Sequence, residues 1–99
     1  MSDDLTELRL KCLAYLEEPT SVMNVADLVR FVSGRNMFSD ELLDSLPLHH
    51  RPRLYTALPI ICPFHAKVVL ERRLQCEQDN IVRRVIEVVL NGPSKEVTP

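Results

Sequence analysis

Apolar residues return every three or four positions along most of this chain, and that period commits it to helices rather than strands. In the first segment, residues 3–18, Leu5, Leu8, Cys12, Leu13 and Leu16 share one face. Ser2 is placed as its N-cap, Asp3 and Asp4 suit the positive end of the helix dipole, and Pro19 helps stop it. The second segment is predicted to open at Asn24, with Asp27 three residues on as in a capping box. Val25, Leu28, Val29 and Val32 form its stripe, and Gly34 is placed to close it in the left-handed conformation. Ser39 caps a third helix, with Asp40 and Glu41 in the first turn, Phe38 able to staple onto Leu43, and Pro47 as the stop.

Leu48 to Arg51 then make a polar connection. Pro52 suits a first helical position, with Leu54, Tyr55 and Leu58 following, and Pro59 is expected to break or kink that helix. Pro63 is expected to open the fifth helix, with Phe64, Ala66, Val69, Leu70 and Leu74 inward. Asp79 or Asn80 caps the last, residues 81–90, which Asn91-Gly92-Pro93 terminates. Its β-branched residues Val82, Val85, Ile86, Val88 and Val89 would also suit a strand. The spacing 81, 85, 86, 89 and the want of a partner strand favour helix. The expected fold is all-α: a compact, death-fold-like bundle of about six short antiparallel helices joined by short connections. Residues 1–93 would form a single interaction domain and residues 94–99 a disordered tail. The core should include Leu8, Leu28, Val32, Leu43, Leu46, Leu54, Leu58, Val69 and Leu70.

Charge is divided along the chain, although the total is only −2. Residues 1–49 hold nine acids against four bases, a net of −5, and residues 50–99 hold eight bases against five acids, a net of +3. The overall balance argues against a strongly basic nucleic-acid binder, and the five aromatics fall mostly at core spacing. A folded molecule that kept this division would carry an acidic face from Asp27, Asp40, Glu41 and Asp44, and a basic face from Arg51, Arg53, Arg72 and Arg73. Neither Arg72-Arg73 nor Arg83-Arg84 is expected to bury both its members.

Catalytic readings are weak. His49, His50, Cys62 and His65 could in principle meet a zinc ion, but two spaced ligand pairs are missing, so no metal or other cofactor is expected. Cys62, read at a helix N-terminus, could be activated with His65 as base, yet no donor loop for an oxyanion accompanies it. No phosphate loop, dinucleotide fingerprint or calcium loop occurs. Three cysteines without framework spacing read as reduced thiols. An acidic N-terminus and no membrane-length apolar run point to a cytoplasmic or nuclear protein.

The stretch from Ala26 to Glu41, an apolar helix, a short basic turn, then Ser with acids, resembles helices two and three of the caspase-recruitment domain, a branch of the death-fold superfamily. Arg53 to Leu58 looks like that family's fourth helix and Phe64 to Leu70 its fifth, while the family's usual basic-Gly-Pro turn is here Ile61-Cys62-Pro63. The likeness spans roughly Leu5 to Leu90. It implies a non-catalytic adaptor or assembly domain of apoptosis or innate immunity, meeting a helical partner, or a second copy, through complementary charged faces. Residues 24–29 with 40–43 are also similar to the TAF homology domain, and residues 43–58 to a harmonin-homology domain. Those likenesses imply the alternative, a helical docking module of a transcription or nucleic-acid-associated cofactor.

Overall fold

A computed structural model describes residues 3–33 and 35–91. They form α1 (Asp3–Glu17), α2 (Val22–Val32), α3 (Asp40–Ser45), a 3₁₀ turn (Leu48–His50), α4 (Arg51–Ile61), α5 (Ala66–Cys76) and α6 (Asn80–Asn91). The architecture is the expected all-α bundle, without a strand among the described residues. α1 lies against α2, while α4 and α5 both pack on α6. Every one of the nine expected core residues is buried. Leu8, Leu28, Leu43 and Leu54 have no exposed surface, and Val82 and Ile86 anchor α6 among them. That anchoring resolves the helix-or-strand question: burial of one face outweighs the few tenths of a kcal/mol by which β-branched residues disfavour helix.

The helix ends explain most departures from the sequence reading. α2 starts two residues before Asn24, because the Ser21 hydroxyl accepts from the Asn24 N–H at 3.3 Å. Its left-handed residue is Ser33 (φ 49°, ψ 43°), whose N–H donates to the Val29 carbonyl at 2.9 Å. The expected role of Gly34, the Ser2 cap, the Gly92-Pro93 stop and the tail all lie outside the described residues. Ser39 caps α3 as expected, accepting from the Leu42 N–H at 3.2 Å. Pro59 does not end α4, which continues to Ile61, and the Cys62 N–H still reaches the Leu58 carbonyl at 2.8 Å. So close to the C-terminus, a proline removes one hydrogen bond without leaving a helix beyond it to redirect.

α5 begins at Ala66, not at Pro63. Phe64 therefore sits in the preceding turn and is 86% exposed, where an inward position was expected. Cys62 correspondingly caps the C-terminus of α4 instead of opening a helix, and it is buried. Asp79 caps α6, its Oδ1 accepting from the N–H groups of Ile81 and Val82 at 2.9 and 3.1 Å.

Candidate interaction surfaces

Folding takes much of the charge expected at the surface and uses it inside. Arg73, on the inner side of α5, is 1% exposed. A buried guanidinium must find acceptors for its donors, and this one finds four. Nε donates to the Tyr55 hydroxyl (3.0 Å), Nη1 to Asp40 Oδ1 (3.0 Å), and Nη2 to Asp44 Oδ1 (2.6 Å) and Glu77 Oε2 (2.8 Å). Glu77, 4% exposed, also accepts from the Tyr55 hydroxyl at 2.5 Å and pairs with Arg51 at 3.1 Å. Arg72 adds a second cation on Asp40 at 2.9 Å and donates to the Phe38 carbonyl at 2.7 Å. Arg51 also donates to the Leu46 and Asp44 carbonyls. Among the described residues, no buried side-chain nitrogen or oxygen lacks a partner.

The electrostatics follow from this geometry. Burial alone would push the Glu77 carboxyl up, but hydrogen bonds from Tyr55 and Arg73, with the charges of Arg51 and Arg73, hold it below its ordinary value. The hydrogen bond from Arg73 likewise holds Asp40 down, with Arg72 adding to it against a smaller burial effect. Burial pushes the Tyr55 hydroxyl up. For Arg73, burial opposes the charge, and the bonds to Glu77, Asp44 and Tyr55 overcome it.

Of the eight residues expected on the charged faces, one, Arg73, is withdrawn from the surface; Asp27, Glu41, Asp44 and Arg53 are exposed, and Asp40, Arg51 and Arg72 are half-buried. Arg73 is no surface residue, and Arg72, Arg51, Asp40 and Asp44 are tied into the same network. Asp27 is exposed and paired with Lys11 at 2.8 Å, while Lys11 also stands 5.4 Å from the Phe31 ring. Glu41 and Arg53 are exposed and enter no ion pair among the described residues. Sequence reasoning missed Glu77 and Tyr55. The signals were there: Glu77 lies four residues after Arg73 on the same helix face, and a core tyrosine needs a partner for its hydroxyl. Neither arginine doublet buries both members: Arg73 alone is buried, Arg72 and Arg83 are half-buried and Arg84 is exposed.

A second surface is apolar. Between α4 and α6 lies a groove of about 420 Å³ lined by Tyr15, Pro52, Arg53, Thr56, Ile60 and Val85, among others. His49 and Pro52 line it and also the adjoining depression of about 460 Å³, which continues to Leu48, Ile81 and Val82. Ile60, Ile81 and Leu48 are 69%, 74% and 45% exposed.

No family model, curated protein or solved structure matches the chain. Its chemistry must be read from its own residues. His49 and His50 lie against each other, with ring centroids 4.1 Å apart. The described residues do not gather three or more His, Cys, Asp or Glu side chains into a metal-holding group. Burial pushes the Cys62 thiol up to about 11 and the Cys12 thiol up to about 12, the opposite of what a nucleophile needs. No helix among the described residues is long and apolar enough to cross a membrane.

Proposed function

We propose that this chain is a non-catalytic adaptor or assembly domain of intracellular signalling, of the cell-death or innate-immunity type. It binds a helical partner domain or a second copy of itself through charged surface. One observation carries the reading: Glu41 on α3 and Arg53 on α4, opposite in charge, both stand exposed and enter no ion pair among the described residues. Glu7, Glu17, Glu18, Asp27 and Glu41 stand exposed in the first half, beside the exposed bases Arg9, Arg30 and Arg35, whereas four of the arginines from the second half, Arg51, Arg72, Arg73 and Arg83, turn at least partly inward. Arg53 on α4 and Arg84 on α6 remain as the outward cations of that half's arginines. Complementary potentials of this kind set partner choice and association rate more than raw affinity. A heterologous contact between the two surfaces would propagate from copy to copy.

Sedimentation velocity at low and high salt tests it. Wild type should self-associate at low salt and dissociate as salt rises. Glu41→Lys or Arg53→Glu alone should weaken association, and the two combined should partly restore it. A wild type that stays monomeric at low salt, or variants that associate as well as wild type, would overturn the homotypic form of the reading.

The groove between α4 and α6 favours a second reading, the docking module of a transcription or nucleic-acid-associated cofactor, because such a groove can receive a partner's helix. Duplex DNA binding that weakens steeply with salt would separate the nucleic-acid form of this reading from the first.

A further inference from the structure

The groove's shape and charge point to one class of occupant. On α4 the outward positions Arg53, Thr56 and Ile60 follow one another at helical spacing. On α6 the positions Ile81, Val85 and Val88 do the same, at intervals of four and three. Val88 is 43% exposed, so α6 presents an apolar stripe to solvent besides the one it buries. Pro52 to Ile60 covers roughly 12 Å of helix axis, and the 3₁₀ turn lengthens the groove by about another turn. A guest helix of about three turns fits that length and would place apolar anchors at i, i+4 and i+7.

The rim is cationic. Arg53 lines the groove and has no ion pair among the described residues, and exposed Arg84 lies one position before Val85 and three after Ile81. The one carboxylate in the lining, Asp79, is already engaged with the α6 N-terminus. Tyr15, from α1, also lines the groove. We infer that the α4–α6 groove receives an amphipathic helix from another protein, about three turns long, with an apolar stripe flanked by carboxylates that meet Arg53 and Arg84. This rests on the reading of the chain as an interaction module, but it does not require self-association.

The probe is a helix-stapled, fluorescein-labelled peptide with leucines at i, i+4 and i+7 and glutamates beside them. Its controls carry lysines in place of the glutamates, or serines in place of the leucines. Fluorescence anisotropy with the whole chain should show saturable binding of the acidic peptide, at least about tenfold tighter than either control. Amide shifts in two-dimensional NMR should cluster at Thr56, Ile60, Ile81 and Val85. Ile60→Asp and Ile81→Asp should each weaken binding about tenfold; both residues are exposed, and unchanged melting curves would show that the fold persists. Arg53→Glu should reverse the preference, so that the lysine peptide binds better than the glutamate peptide, an outcome that a folding defect cannot mimic. Absence of binding overturns the inference, and so does equal binding of acidic and basic peptides. Shifts centred on exposed Val22 and Met23, or on Phe64 and Val68, overturn it too. Salt-sensitive self-association without groove binding leaves the assembly reading standing and removes only this one. Groove binding by a strictly monomeric chain does the reverse to the homotypic form.

Discussion

Replacing Arg73 with alanine should be among the costliest single changes in this protein. The side chain is 1% exposed and donates to four acceptors, Asp40 and Asp44 on α3, Tyr55 on α4, and Glu77 at the C-cap of its own helix α5. Removing one partner of a buried pair costs about 3–5 kcal/mol, because the other charge is left in a poor solvent. Here Arg51 remains 3.1 Å from Glu77, so the loss should fall toward the lower end, about 3 kcal/mol. Total stability for a domain of this kind is about 5–15 kcal/mol, so the variant should stay folded but be marginal. The melting temperature should fall by about 12–24 °C, at 4–8 °C per kcal/mol. Urea unfolding followed by circular dichroism measures the change directly. Arg73→Lys should recover only part of the loss, since one ammonium cannot reproduce the guanidinium fork. A double-mutant cycle with Glu77→Ala should show a coupling of about 1–3 kcal/mol. Arg84→Ala, at an exposed position, should change stability by less than about 0.5 kcal/mol. If Arg73→Ala costs no more than Arg84→Ala, the buried network has been misread as a source of stability.

Three further outcomes follow from the caps, the thiols and the carboxylates. Ser39→Ala and Ser21→Ala should each cost about 1 kcal/mol in urea unfolding, since each hydroxyl satisfies a helix N-terminal N–H; a neutral Ser21→Ala would return the start of α2 to Asn24. In thiol labelling of the native protein, exposed Cys76 should react quickly, while buried Cys12 and Cys62 should react only after unfolding; fast labelling at all three would contradict their burial. Glu77 and Asp40 titrate below their ordinary values in the folded state, so their contribution to stability is complete above about pH 5 and is lost as pH falls through the folded values. Urea midpoints measured from pH 6 to pH 2 should therefore decline, and less steeply in Glu77→Gln; equal slopes would remove Glu77 as a cause.

The helices and core were legible because they depend on periodicity, which a linear sequence displays. Leu8, Leu28, Leu43 and Val69 could be assigned to the interior without coordinates, and each is fully buried. Helix boundaries were less legible at α2 and α5, because a cap is chosen among neighbours: Ser21 competes with Asn24, and Pro63 does not force a helix to begin at once. The charged surface was the least legible part. Arg72 and Arg73 are adjacent letters with different environments, one partly exposed and one buried, and only the facing of α5 against α3 and α4 separates them. The charge division along the chain was real as composition. Much of it proved to be complementarity between parts of one molecule, with Asp40 and Asp44 from the acidic half meeting Arg72 and Arg73 from the basic half.

α3 is six residues long, too short to persist on its own. It stays in place by burying Leu42 and Leu43 and by the arginine clamp from α5, whose contacts join residues 29 to 34 positions apart in sequence. Ionic and non-ionic denaturants should therefore rank this segment differently. Guanidinium chloride screens the clamp as well as weakening the apolar contacts, whereas urea leaves the charges in force. In native-state hydrogen exchange, the α3 amides should open by a smaller excursion than those of α4 and α6, and low guanidinium chloride should widen that difference more than urea of equal denaturing strength. A helix held by charge makes the middle of the chain the part most responsive to its ionic surroundings.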